Sequence, residues 1–388
     1  MTGAGFSIGQ HQSWWYHWVL NVSRNARKFE GECALSWIGC VGVLLMMQVA
    51  LEARAGQAPE RSGAAGSAKA PSRVVVVQDP LATDAFKPDA DRVRQMTQRA
   101  IMTLTGRATP RAAWASLVSP KDVVGIKVYS APGPDSGTRP AVVAAIVEGL
   151  LEAGLPGTNI IVWDRQRADL RRAGFMDLAE RYGIRAEGSV NVGFDEQTFY
   201  APDTPILGQL VYGEVEFGRS GEGVGRRSFV TKLLTQNITK LINVTPLLNH
   251  NSAGVTGHLY SLAFGSIDNV LRFENDLVKM STAIPEIYAL PSLSDRVVLN
   301  VTDGLICQYQ GEHTPLLHYA VPLNELRFSK DPVALDALSL RELEKARVAA
   351  GAKPTVGIVL TNQFEVLQNA AMLLLGQCDS RRIQVERN

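Results

Sequence analysis

The stretch DVVGIKVY at Asp122–Tyr129, continued by GTRPAVVAAIVEGLLEAG at Gly137–Gly154 and NIIVWDR at Asn159–Arg165, decides the fold. Its first piece is a short β-branched run with the length and composition of a buried strand. The second opens at Thr138-Arg139-Pro140, where threonine suits an N-cap and proline suits the first helical turn. Val142, Val143, Ile146, Val147, Leu150 and Leu151 then recur at helical spacing, and Gly154 closes the segment. The third piece is another strand. Strand, helix and strand in that order predict a parallel pair joined by a right-handed helical crossover.

The same rhythm extends in both directions. Upstream, Arg73–Gln78 reads as a strand and residues 88–105 as a helix with Val93, Met96, Ala100, Ile101 and Leu104 on one face. Downstream, residues 167–182 read as a third helix. Residues 186–229 change character: short polar and aromatic runs with many glycines predict a β-rich insertion. The α/β pattern then returns with the strand Lys240–Val244, a helical region over 255–290, the strand Arg296–Val301, and a helix opened by Asp331-Pro332. The expected class is α/β, a mainly parallel or mixed sheet flanked by helices, in a single domain over 72–388.

The N-terminal part does not share this pattern. An uncharged run from Cys33 to Leu51 follows Arg24, Arg27 and Lys28 and ends at Ala53-Arg54-Ala55, a small-x-small site. Residues 1–55 are therefore expected to be a signal peptide or an N-terminal membrane anchor, with 56–71, rich in Ala, Gly, Ser and Pro, a flexible linker. The body would then be exported, periplasmic or tethered on the outer side of the cytoplasmic membrane, touching the membrane only through its N-terminal segment. Composition is that of a globular protein, 46% hydrophobic and 20% charged over 388 residues, which excludes disordered and collagen-like classes. Lys plus Arg (39) and Asp plus Glu (38) nearly cancel, so the basic footprint of a nucleic-acid binder is missing. After residue 55 only Cys307 and Cys378 remain, too few for a four-cysteine iron–sulfur cluster. They read either as a disulfide or as two separate buried thiols.

In an open α/β sheet, ligands bind beyond the carboxyl ends of the strands. Lys127 lies at such an end, followed by the glycine-rich loop Ser130–Gly137 and by Thr138 and Arg139 at a helix start. Together they suit a small anion such as phosphate or carboxylate, or else they are surface charges and a cap. Asp164 ends the next strand, as a further site carboxylate or as a helix cap. The body's four histidines fall in two loops after strands, His250 and His258 in HNSAGVTGH, His313 and His318 in GEHTPLLH. Two histidines and a carboxylate can hold one divalent transition metal; satisfied structural histidines or metal-free acid–base work are the other readings. Gly221–Gly225 has neither dinucleotide nor P-loop spacing, so no nicotinamide cofactor is expected, and no Gly-x-Ser-x-Gly elbow occurs.

DVVGIKVY, the Gly137–Gly154 helix, NIIVWDR, DLRRAGF, the long run KLLTQNITKLINVTPLLNHNSAGVTGHLYSLAFGSIDN, LNVTDGLICQYQGEH and SKDPVALDALSL, in this order, resemble the domain of unknown function 362 family from about residue 73 onward. The resemblance implies little about activity, because the family is uncharacterised. Some relatives carry a ferredoxin-type module, to which nothing here corresponds. Lys127, Thr138, Arg139, Asp164, His250, Gly254, Thr256, Gly265, Asp303, Asp331 and Asp336 match its best-marked positions. The chain departs from the pattern at Tyr129, where relatives tend to have Asn, at Leu248 in place of a lysine, and around Tyr260–Ala263, where a Lys-Asn pair is missing.

Two functions fit these residues. One is an exported enzyme acting on a small anionic substrate, open to metal assistance. Lys127, Thr138, Arg139 and Asp164 would bind the substrate, and His250 and Asp303 would be catalytic. Any metal would take its ligands from His250, His258, His313 and His318. The other is a non-catalytic cell-envelope module that binds a ligand or partner. The enzyme predicts one shared pocket; the module predicts these side chains paired off inside the fold.

Overall fold

Four valines in a row make Ser72–Gln78 (β1) a strand buried on both faces. The computed structural model in which it lies describes residues 71–201, 225–274 and 276–388. The expected signal or anchor, the linker up to residue 70 and the middle of the expected insertion, 202–224, lie outside the described residues. No helix among the described residues is long and apolar enough to cross a membrane.

After β1 come a small hairpin, β2 (Thr83–Asp84) with β3 (Lys87–Pro88), and the helix α1 (Ala90–Thr105), capped by Asp89, whose side chain accepts from Arg92 N. α2 (Pro110–Ala115) leads to β4 (Val124–Lys127), α3 (Pro140–Glu152) and β5 (Ile160–Asp164). The third helix is interrupted. Gly174 has φ +84°, a left-handed backbone that only glycine adopts without strain, and it divides α4 (Arg167–Arg172) from α5 (Phe175–Tyr182). β6 (Arg185–Gly188) and α6 (Ser189–Val192) follow, and β7 (Phe194–Tyr200) pairs antiparallel with β8 (Ser228–Thr231) at the two ends of the insertion.

The second half holds longer strands than the sequence suggested. β9 runs Lys240–His250 and folds back on β10 (Gly254–Val255); β11 runs Val297–Gln308. The helical region over 255–290 is two helices, α7 (His258–Gly265) and α8 (Leu277–Tyr288). Between them the Asp268 carboxylate takes the N–H groups of Phe229 and Asn269, and Asp276 caps α8. β12 (Ala320–Ser329), α9 (Pro332–Ala349), α10 (Ile358–Met372) and β13 (Ile383–Arg387) complete the chain, with Asp331 capping α9 as its Asp-Pro start predicted.

Among the described residues, nine strands form one sheet, ordered β13-β1-β12-β11-β9-β4-β5-β6, with β10 beside β9. β11, β9, β4, β5 and β6 are mutually parallel, β1 and β13 are parallel, and β12 is antiparallel to both its neighbours. This is the mixed, mostly parallel α/β fold expected. Alternation along each strand divides the core. Val75, Val77, Ile126, Val162, Val244 and Val301 pack with Met96, Ile146 and Phe175 on one face; Val74, Val76, Ile161, Trp163 and Leu241 pack with Leu262, Ile284, Leu335 and Leu367 on the other. Each such fully buried side chain contributes roughly 1.5–3 kcal/mol.

The order of strands locates a crevice. From β4 the chain crosses through α3 to β5 on one side, whereas β9, on the other side of β4, leads through α7 and α8 to β11. The direction of winding reverses between β4 and β9, so the loops at their carboxyl ends diverge and leave room for a ligand.

Candidate functional site

The floor of this crevice is a buried ion pair. Lys127, the last residue of β4, has no solvent exposure; its Nζ donates to the Val128 carbonyl (2.6 Å), Asp164 Oδ1 (2.8 Å) and Ser261 Oγ (3.1 Å). Asp164, at the end of β5, also accepts from Arg165 N at Oδ1 and from Ser130 N and Oγ at Oδ2, the last at 2.6 Å. Burial pushes the lysine down from its usual range, and the adjacent Asp164 charge opposes that shift. α7 can lie this close because Gly265 has no side chain: a Cβ there would stand 2.4 Å from Lys127 Cε.

Arg139 is equally committed. Its backbone N–H donates to Asp303 Oδ2 (3.0 Å), Nη1 to Asp303 Oδ1 (3.1 Å) and Nη2 to the Asp135 carbonyl (2.8 Å). Both side chains are buried. Thr138 does not cap α3; its hydroxyl accepts from Tyr129 N and donates to the Val244 carbonyl, and Arg139 occupies the cap position. Nor does Asp164 cap α4, whose cap residue is Gln166. Lys127 and Arg139 therefore do not converge on one anion pocket, because each already holds a carboxylate of the chain. Asp303 is engaged by Arg139 beneath the loop.

The histidines divide similarly. His258 is in α7, not a loop; it is fully buried, with Nε2 against Thr302 Oγ1 at 3.0 Å, and burial pushes it down to about 3. His250 ends β9, accepts the Ser252 and Ala253 N–H groups at Nδ1, and packs at a tilt against Tyr260 with ring centroids 4.3 Å apart. Burial, helped by nearby His313, lowers it to about 3 as well, so both rings are neutral at ordinary pH. His250 and His313 do approach one another, at 5.9 Å between centroids, while His318 stacks on Tyr319 at 4.0 Å. The four do not gather as one ligand set: among the described residues no three His, Cys, Asp or Glu side chains are placed to hold a metal ion. Cys307 and Cys378 are free thiols, and burial pushes Cys307 up to about 12.

Above the ion pair lies a cavity of about 360 Å³ whose walls include Tyr129, Asp164, Asp169, Tyr260, Glu274 and His313. The Tyr129 hydroxyl is 2.5 Å from His313 Nδ1. Burial first, with nearby carboxylates, raises the Tyr129 phenol well above its ordinary value, so it stays protonated. The Tyr260 hydroxyl donates to Glu274 Oε1 at 3.4 Å and is raised for the same reasons. Asp169 is raised by burial and by Asp164, against the pull of Arg172. Arg165 also lines the cavity, but Nη1 donates to the carbonyls of Phe264 and Ile267 (2.9 Å each) and Nη2 to that of Asp268 (2.5 Å), closing the end of α7.

His313 rides on a loop fastened at both ends. Asn251 N donates to Glu312 Oε1 (2.5 Å), Glu312 N donates to Asn249 Oδ1 (3.2 Å), and Gln308 ties Ser136 to Thr314 and Leu316. Glu312 has φ +49°, a left-handed conformation that these bonds hold in place. Of the residues matched to the family pattern or singled out as histidines, Asp164, Gly265 and His313 line the cavity. Tyr129, Tyr260 and Glu274 had no role assigned from sequence; the signal for the two tyrosines was their departure from the resemblance.

Comparison with known proteins agrees with the sequence motifs. The family described as "Domain of unknown function (DUF362)" matches residues 124–341 of this chain. No curated protein matches. Among solved structures, the chain is similar to a Thermotoga maritima protein determined as a structural-genomics target, at 11% identity and a TM-score of 0.37 over 70% of this chain. The match spans 61% of that protein's length.

Proposed function

The chain belongs to the DUF362 family, and from that premise we propose that it is an exported enzyme which moves protons on a small organic molecule held in the cavity above Lys127 and Asp164. One observation carries the reading: the Tyr129 hydroxyl 2.5 Å from His313 Nδ1 at the cavity wall. A phenol kept protonated by burial both accepts and donates hydrogen bonds, so it can hold the imidazole in a fixed orientation. With His313 as the Nδ1–H tautomer, its N–H donating to the Tyr129 oxygen, Nε2 carries the lone pair that would take a proton from the ligand, and the Nδ1–H bond to Tyr129 would persist in the imidazolium. Tyr129 is the positioning residue and His313 the base. The ion pair at the floor holds the ends of β4 and β5 together beneath them.

The anion expected at Lys127 and Arg139 draws no support from their internal pairing, and metal assistance draws none from the scattered histidines. The same pairing does favour a second reading, a non-catalytic envelope module that binds a ligand in this cavity without turnover.

One experiment separates the two. The full chain is incubated in D2O with a panel of small amines and carbonyl compounds, and deuterium entry at carbon is followed by proton NMR. Exchange on a member of the panel, falling about 10²–10⁴-fold in a folded His313→Ala variant, is the expected result; Tyr129→Phe should lose less. Undiminished exchange in His313→Ala overturns the assignment, and ligand binding without exchange supports the module.

A further inference from the structure

The charges and rings around the cavity define what it would hold. Tyr129 and Tyr260 lie edge to face with centroids 6.5 Å apart, and Phe264 continues the wall 5.0 Å from Tyr260. Val270 and Leu271 add apolar surface to the lining. The walls thus present aromatic rings and hydrocarbon to an occupant, with few polar groups.

The polar groups that do line it are weighted toward negative charge. Arg165, the cation among them, is engaged with three carbonyls at the end of α7. Lys127 lies behind Asp164 and is fully buried. Asp169 has Arg172 as its ion-pair partner at 2.8 Å. Glu274 is left with the Tyr260 hydroxyl at 3.4 Å and no ion pair with a described residue. A carboxylate or phosphate entering here would face Glu274 and Asp169, with Arg165 already engaged and Lys127 shielded behind Asp164. An ammonium group would find aromatic rings and a carboxylate together, the groups from which organic-cation sites are built.

We infer that the cavity takes an organic cation, an amine on an apolar body, with the ammonium between the Tyr129–Tyr260–Phe264 wall and the Glu274 carboxylate. This rests on the cavity being the working site, as proposed above, and supplies its ligand class.

Three probes of one shape and different charge test it: benzylamine, benzyl alcohol and benzoate, titrated calorimetrically into the full chain. The expected order is benzylamine well ahead of benzyl alcohol, with no benzoate binding, and at least a tenfold loss of benzylamine affinity in Glu274→Gln. Phe264→Leu, which leaves the carboxylate in place, should weaken benzylamine more than benzyl alcohol. If benzyl alcohol or benzoate binds as tightly as benzylamine, or Glu274→Gln leaves benzylamine unaffected, the ligand class is wrong while the cavity stands. If none of the three binds, the cavity reading falls with it.

Discussion

An ammonium group without solvent exposure stays in a fold only by what it touches, and Lys127 touches a carboxylate, a carbonyl and a hydroxyl. Lys127→Ala would leave Asp164 nearly buried and without its counter-ion, so a loss of about 3–5 kcal/mol in urea denaturation is expected, largely recovered in the Lys127→Met/Asp164→Leu double variant. A loss below about 1 kcal/mol would mean that solvent already screens the pair. His250 and His258 carry the pH dependence. Both are held near 3 in the fold and titrate near 6.5 when unfolded, so the unfolded chain binds more protons between these values. Their contribution is complete above about pH 6.5 and falls as the pH drops toward 3. Asp336, raised by burial to about 7, works in the opposite sense, its contribution weakening as pH rises from 3.8 to 7. Removing one histidine, as in His258→Gln, should flatten the stability–pH slope between pH 4 and 6 by up to about 1.4 kcal/mol per unit; an unchanged slope would show that the ring titrates normally. Sequence placed Lys127 and Asp164 at strand ends and Arg139 at a helix start, as the structure has them. It could not show that Arg139 meets a carboxylate 164 positions away, which turns an apparent anion site into an internal bond.

At the scale of elements, the close approach of α7 to β4 depends on one missing side chain. A Cβ at Gly265 collides with Lys127, so Gly265→Ala should push α7 outward, cost about 1–3 kcal/mol in denaturant, and weaken ligand binding on the same helix. Stability and binding both unchanged would show that the helix shifts without consequence. The same crowding explains where sequence reading stopped short. β9 and β11 were recognised by their apolar beginnings, Lys240–Val244 and Arg296–Val301, but their second halves carry Thr245, Asn249, Asp303 and Gln308. These polar residues are themselves buried and so break the apolar run while the backbone remains extended. The helix expected over 167–182 fails at Gly174 for a related reason, since periodicity does not register a single residue's change of backbone region.

For the molecule as a whole, β4 and β5, and likewise β9 and β11, were legible because successive strands are joined by local helical crossovers, whereas β4 and β9 pair across 116 positions of sequence. The pairings of β1 with β12 and with β13 were not, because nothing local joins them. Ser72 lies opposite Ile383 and Arg73 opposite Gln384, with Arg73 bonded to Glu386 across 313 positions of sequence. That pairing sets the order in which the fold can be completed. Until residue 387 has left the ribosome, the outer edge of β1 has no strand to lie against, and its N–H and C=O groups remain open to any other extended chain. Contacts of such long sequence separation also slow the search for the native state. Between synthesis of β1 and arrival of β13, that edge of four valines is open to other extended chains, and a chaperone bound over β1 would protect it.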